Sequence, residues 1–274
     1  MNIGLVATDL DGTLLRSDKS ISEADLAMLK RLGEKQIFRV VATGRNFRKV
    51  KEVIPDYVPF DYVAFSSGAG IYDFRNRKLL YSRNISKEIV NRLSEWLINK
   101  GFSFFLFQEV PFNSHCWYYR GKNSCEEFDR YFDSHSDMTE SLPESGRVST
   151  GACQFLVIFK YAGQFFEMKD ELAQHFDDLK ILRASSPFET GYTWMEIFHQ
   201  DVSKGNAIRF LCDHLNIKRE ATVGIGNDYN DLDLLDFTSF SYLVKNGPEE
   251  LKLKYRSAPS NEDNAFSYCL YHLL

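Results

Sequence analysis

The sequence is poor in the features that mark specialised protein classes. Its 274 residues include five cysteines, and Cys116, Cys125, Cys153, Cys212 and Cys269 show no short paired spacing of the kind that makes a zinc site or a disulfide framework. An odd number of unpaired thiols suits a reducing compartment, so a cytoplasmic location is expected. Long apolar runs are also missing. The N-terminal stretch Ile3–Ala7 is interrupted by Asp9 and Asp11 before it could serve as a signal peptide, and no later stretch reaches the length of a membrane span. Positive charge is not in excess either: the formal net charge is −5, which gives no electrostatic reason to expect nucleic acid. No internal repeat stands out, and no protein partner is implied. What remains is an ordinary soluble composition, 44% apolar, in a chain long enough for two domains or for one domain with a large insert.

The order of elements defines a fold class. Ile3–Thr8 is a short, mostly apolar run that stops at carboxylates, as a buried parallel strand does at a polar site. Ser22 is placed to cap a helix carrying Leu26, Leu29 and Leu32 and closed by Gly33. Strands follow at Phe38–Ala42, ending in Thr43-Gly44-Arg45, and at Tyr62–Phe65, ending in Ser66-Ser67-Gly68. This alternation predicts an α/β fold with a Rossmann-like parallel sheet and helices on both faces. From about residue 83 the pattern changes to aromatic-rich strands and helices of an α+β type, with residues 137–151 expected as a mobile loop. Alternation resumes with a helix after Ser203 and strands at Ala221–Ile225 and Phe240–Val244. The expected organisation is therefore a core of residues 1–82 and 197–274 interrupted by an inserted α+β domain of residues 83–196.

The chemistry-bearing residues gather at the ends of these strands. In Asp9-Leu10-Asp11-Gly12-Thr13, two carboxylates spaced by two residues can project to one side and act on one substrate. Lys204 lies in the first turn of a helix, where its charge opposes the helix dipole by roughly 0.3–1 kcal/mol unless an anion occupies that end. The cluster Asn227-Asp228-Tyr229-Asn230-Asp231 holds more acidic and amide groups than helix capping requires. Taken singly, each motif could be an ordinary turn or cap. Together they put a carboxylate pair, a hydroxyl, an ammonium and an acidic cluster at neighbouring carboxyl ends of one sheet, where open α/β sheets bind ligands.

In this order, D-x-D-G-T after the first strand, Thr43 after the second, Lys204 and the acidic cluster, the chain resembles the haloacid dehalogenase superfamily. The insertion after the second motif resembles the Cof-type branch of its phosphatases, whose α/β cap closes over the active site and selects the substrate. The dehalogenases and phosphonatases of the superfamily lack the second Asp. The resemblance implies hydrolysis of a small phosphorylated metabolite, sugar phosphates first, with Mg²⁺ as cofactor. It casts Asp9 as nucleophile, Asp11 as acid and base, and Thr43, Gly44, Arg45, Lys204 and Asn230 around the phosphate. Metal ligands would come from Asp9, the Asp11 carbonyl, Asn227 and Asp228, with Asp231 orienting the metal shell or Lys204. Two positions depart from the branch: Asn227 stands where a metal-binding Asp is usual, and Ser67-Gly68 replaces Asn-Gly. A noncatalytic metabolite-binding protein and a phosphotransferase are the alternatives. In the inserted domain, Phe102, Phe104, Phe105, Phe107, Trp117, Tyr118 and Tyr119 are expected mostly as core; just before the Lys204 motif, Glu196, His199 and Asp201 are candidates to reach the leaving group.

Overall fold

The computed structural model describes residues 3–188 and 190–274. These residues divide into two compact units, Met1–Tyr81 with Ser203–Leu274 and, between them, Ser82–Val202. The first unit begins with β1 (Leu5–Thr8), wholly buried, followed by α1 (Glu23–Glu34), whose cap Ser22 accepts the N–H of Asp25 at 3.0 Å. Then come β2 (Phe38–Ala42), α2 (Phe47–Val53), β3 (Tyr62–Phe65), β4 (Gly70–Asp73) and β5 (Lys78–Ser82).

The inserted unit contains α3 (Lys87–Asn99), β6 (Phe104–Phe107), β7 (Cys116–Tyr119), α4 (Glu126–Ser134), β8 (Thr139–Ser141), β9 (Gln154–Phe159), α5 (Ala162–His175), β10 (Leu179–Ser185) and β11 (Thr193–His199). Its sheet runs β10-β11-β9-β6-β7-β8, antiparallel except for the β7–β8 pair. Val90, Leu93 and Leu97 of α3 and Phe165, Met168 and Leu172 of α5 form one core with Phe104, Leu106, Phe155, Val157, Met195 and Ile197. Phe102, Trp117 and Tyr119 pack against that core. Phe105, on the opposite face of β6, stacks on Phe128 of α4 with ring centroids 4.4 Å apart, so most of these aromatics are structural.

Two expectations are corrected here. The loop expected over 137–151 contains β8, which pairs with β7 in the register Cys116↔Thr139; its Thr-Glu-Ser sequence is polar because it edges the sheet, and so gives no apolar alternation to read. The inserted unit also continues past 196 to Val202, because β11 pairs with β10 through His199↔Leu179.

The chain returns to the first unit with α6 (Lys204–Leu215), β12 (Thr222–Gly226), α7 (Leu232–Phe237), β13 (Phe240–Val244), β14 (Arg256–Ala258) and α8 (Ala265–Tyr271). Eight strands form the sheet β14-β13-β12-β1-β2-β3-β4-β5. The pairs from β14 to β3 are parallel and β4 lies antiparallel to β3. Leu5, Ala7, Val40, Ala42 and Ala64 meet Ala207, Ile208 and Leu211 of α6 and Leu234 of α7. The alternate residues Val6, Val41 and Val63 are equally buried, while α1 packs on β2 and α8. With β2 on one side of β1 and β12 on the other, the connections diverge at the carboxyl end of β1. That divergence opens the crevice in which such sheets bind ligands.

Candidate active site

Asp9 follows β1 directly, and its N–H donates to Ile225 O of β12 at 2.9 Å, which extends the parallel pairing by one residue. Its carboxylate Oδ1 accepts from Lys204 Nζ at 2.8 Å. Lys204 is fully buried, and its ammonium also donates to Asp231 Oδ1 at 2.5 Å and to Asn230 Oδ1 at 3.3 Å. A buried lysine is stable only where such partners replace water. Burial works against the charge on Lys204, but Asp231 and Asp9 outweigh it and hold the pKa above the ordinary lysine range. Burial pushes the Asp9 carboxyl up to about 7, Lys204 pulling it down and Asp231 adding to the rise. The other oxygen of Asp231, Oδ2, accepts the backbone N–H groups of Asn227 at 2.8 Å and Asp228 at 3.0 Å. Asp231 thus braces both Lys204 and the loop after β12.

Asp11 has a different environment. Arg45 grips it with two donors, Nε to Oδ2 at 2.6 Å and Nη2 to Oδ1 at 2.7 Å, and Lys19 Nζ reaches Oδ1 at 2.9 Å. Burial alone would raise this carboxyl; the hydrogen bonds and charges of Arg45 and Lys19 bring it down to about 2. Directly after the second carboxylate the chain turns at Gly12, φ +73°, where an added Cβ would lie 2.6 Å from Asn227 Nδ2. Glycine is required there by conformation and by space. Beside it Thr13 Oγ1 donates to Asn227 Oδ1 at 3.0 Å, so Asn227 packs on the loop that carries both aspartates.

Thr43 follows β2 directly and is buried, its hydroxyl accepting the N–H of Arg45 at 3.2 Å. Gly44 lies between them. Ser67, where the sequence departs from Asn, is also buried, with φ +53°. Its N–H donates to Thr43 O at 2.9 Å, and the Ser66 N–H to Arg45 O at 2.8 Å. The loop after β3 therefore braces the segment after β2. At Gly68, φ +97°, a Cβ would come within 2.4 Å of Ser203 O, the residue that caps α6. This close approach keeps the loop against the helix that presents Lys204.

The loops after β1, β2 and β12 and the start of α6 thus build one site from two hydrogen-bonded clusters, Asp9 with Lys204, Asn227, Asn230 and Asp231, and Asp11 with Arg45. Thr13 and Lys19 join it without having been singled out in the sequence; for Thr13 the signal was its place in the Asp-x-Asp-Gly-Thr run. Glu196, His199 and Asp201 belong to the inserted unit. There Asp201 pairs with Arg83 at 3.5 Å and with His199 Nδ1 at 3.6 Å, and burial lowers the imidazole pKa against the pull of Asp201. Chemically, the site offers a buried carboxylate bridged to an ammonium beside a second carboxylate gripped by two cations. No helix among the described residues is long and apolar enough to cross a membrane.

The sequence profile of the haloacid dehalogenase-like hydrolases matches residues 6–270. The 5-amino-6-(5-phospho-D-ribitylamino)uracil phosphatase YwtE of Bacillus subtilis is 25% identical over 287 residues, covering 98% of this chain and 97% of its own. Among solved structures, the haloalkanoate-superfamily phosphatase BT1666 of Bacteroides thetaiotaomicron superposes with a TM-score of 0.82 at 18% identity, over 99% of this chain and 95% of that one. The subclass IIB sugar phosphatase BT4131 gives 0.77 at 17% identity, covering 98% of each chain. These structures share the fold, and the profile spans both units and every strand end that carries a site residue, so the chain belongs to the haloacid dehalogenase-like hydrolases.

Proposed function

We propose that the protein is a magnesium-dependent phosphatase that hydrolyses a small phosphorylated metabolite, with sugar phosphates the first class to test, through a covalent phosphate on Asp9. The observation that carries this reading is the Lys204 ammonium, buried between Asp9 and Asp231 at 2.8 and 2.5 Å. It fixes the Asp9 carboxylate and supplies positive charge where a phosphoryl group would arrive.

In the first half-reaction an Asp9 oxygen forms a bond to phosphorus as the bond to the leaving oxygen breaks, and Asp11 gives that oxygen a proton. In the second, water attacks phosphorus, Asp11 takes the proton, and the Asp9–phosphorus bond breaks to release inorganic phosphate. Arg45 and Lys19 hold Asp11 in the ionised form that the second half requires. An entering phosphate competes for the same cations, which favours the protonated form that the first half requires. Thr43 and Gly44 contribute donors for the phosphoryl oxygens, together with Asn230 and Arg45.

The donor set suits a hard cation. Asp9, the Asp11 carbonyl, Asn227 and Asp228 offer only oxygen, and no thiolate or imidazole is among them. No three His, Cys, Asp or Glu side chains gather into a metal-holding group among the described residues. Mg²⁺ is commonly held by one or two carboxylates together with waters and substrate phosphate rather than by a full protein cage. The bound cation would offset the repulsion between the Asp9 carboxylate and the phosphate. Asp231, which already accepts from Lys204 and from the N–H groups of Asn227 and Asp228, is assigned the role of orienting the metal shell and Lys204. The inserted unit is assigned the role of substrate-selecting cap, by analogy with the family layout.

The test is a screen of phosphate esters at millimolar Mg²⁺ with Asp9→Asn as control, coupled to quenched-flow mass spectrometry of the peptide containing Asp9. Turnover by the wild type and a phosphoryl adduct on that peptide are expected. No turnover above the Asp9→Asn background with any ester refutes the reading.

A further inference from the structure

We propose that Lys19, together with Arg45, forms a recognition site for a second anionic group on the substrate, so that the preferred esters carry a carboxylate or phosphoryl group close to the leaving oxygen. The inference rests on the phosphatase reading and narrows its substrate class.

Charge is unevenly distributed across the site. At the phosphoryl end, a single ammonium, Lys204, faces two carboxylates. At Asp11 the ratio is reversed, with one carboxylate facing the guanidinium of Arg45 and the ammonium of Lys19. Neighbouring acids do not restore the balance. Glu52, which also acts on Arg45, bonds Lys49 at 3.0 Å and lies 3.6 Å from Arg48, while Asp18 accepts the N–H of Ser20 at 2.8 Å. Asp9 acts on Arg45 ahead of Glu52, but its carboxylate is bonded to Lys204, so the surplus of one positive charge is local to Asp11, where two cations face one carboxylate.

Geometry puts that surplus at the leaving group. A general acid must come within hydrogen-bond reach of the oxygen it protonates. Lys19 Nζ lies 2.9 Å and Arg45 Nη2 2.7 Å from the same oxygen of Asp11, so both cations are near whatever is attached to that leaving atom. Arg45 makes a bidentate grip, whereas Lys19 makes a single bond to Asp11 from an ammonium with three donors. The Lys19 side chain is also 51% exposed, and so open to an arriving anion. Its position is built into the loop. Lys19 takes φ +67°, a region lysine seldom occupies, inside a tight turn closed by Arg16 N to Ser20 O at 3.0 Å and Lys19 N to Arg16 O at 2.9 Å.

Two esters on one carbon skeleton test this directly: 2-phosphoglycerate and glycerol 2-phosphate, which differ by a carboxylate in place of a hydroxymethyl group. The wild type is expected to favour 2-phosphoglycerate by at least tenfold in kcat/KM, mainly through KM. Lys19→Met should reduce that preference at least fivefold, and Lys19→Arg should restore most of it. p-Nitrophenyl phosphate, measured alongside, separates the two levels of the claim. Turnover of that ester with no preference between the glycerol esters, or with a preference that survives Lys19→Met, overturns the role of Lys19 and leaves the phosphatase reading standing. No turnover of any of the three esters above Asp9→Asn overturns both. A fall in preference shared equally by Lys19→Met and Lys19→Arg also counts against recognition, because it marks a perturbed loop rather than a lost cation.

Discussion

Removing the ammonium from the Lys204 cluster tests whether that cluster is held together by charge. Lys204→Met keeps an unbranched chain of similar length but leaves Asp9 and Asp231, both buried, without their shared cation. At an effective dielectric of about 20, a pair of unit charges about 3 Å apart interacts by roughly 5 kcal/mol, and the mutual repulsion of the carboxylates is added when the lysine goes. Protonation of Asp9 relieves part of this, so the net loss is set at about 4 kcal/mol, within the range for breaking a buried pair from one side. A domain stable by 5–15 kcal/mol feels such a loss strongly. Asp231→Asn alone should cost about 3 kcal/mol, through its bonds to Lys204 and to the loop after β12. The double variant should cost about 4 rather than about 7 kcal/mol, because it removes the repelling carboxylate together with the cation.

The probe must sit in the right unit. Trp96, Trp117 and Trp194 all lie in the inserted unit, whereas Cys212 and Cys269 are buried in the unit that holds Lys204. Urea titration read by pulsed thiol labelling of Cys212 and Cys269 therefore reports the relevant unfolding, and tryptophan fluorescence does not. With an m-value of about 2–3 kcal/mol/M, the expected midpoint shift is roughly 1.5 M. The reasoning fails if Lys204→Met unfolds within about 0.3 M of the wild type, or if the two single losses simply add in the double variant.

Other expectations follow from the same geometry. Asn227→Asp adds a charge to the loop proposed to bind the cation while keeping the acceptor for Thr13, so half-saturation of activity by Mg²⁺ should fall by roughly tenfold; an unchanged Mg²⁺ titration would exclude Asn227 as a ligand. At the opposite end of the sheet, Asp61 is buried and accepts from Arg39 N and Nε, each at 2.9 Å, from Arg39 Nη2 at 3.0 Å and from Arg75 Nε at 2.7 Å. Burial would raise its pKa, but these bonds outweigh burial and lower it. A depressed folded pKa contributes stability above the unfolded value, near pH 4, that is lost as pH falls through the folded one. Asp61→Asn should therefore cost about 3 kcal/mol at pH 7, with the gap to wild type closing below about pH 4. A gap of constant width across that window would show that packing, not ionisation, sets the effect.

The strands at Phe38–Ala42, Tyr62–Phe65 and Phe240–Val244 were legible to the residue, because short apolar runs bounded by polar turns have few other readings. β5 was not: Lys78–Ser82 is half-exposed at the sheet edge and lacks the buried run that marks a central strand. α2 was missed for a related reason, since Phe47–Val53 is short and buries only Val50. At the site, the residues at strand ends could be listed because a parallel sheet gathers its carboxyl ends. How they are connected could not be read. The bonds of Lys19 to Asp11 depend on a left-handed turn, the burial of Lys204 on two carboxylates from distant loops, and the double duty of Asp231 on the path of the backbone after β12.

The connectivity of the first unit bears on how the enzyme is made. β1 lies between β2 and β12, and the bond from Lys204 to Asp9 spans 195 residues of sequence. During synthesis, the inserted unit leaves the ribosome as one continuous stretch before α6 and β12 exist, so it can fold while β1 still lacks a neighbour on one side. Contacts of such long range form late. Asp9 therefore meets its ammonium only after most of the polypeptide has emerged, and a chain truncated or stalled before α6 carries the Asp-x-Asp loop with Lys19 and Arg45 but without the Lys204 ammonium that Asp9 requires.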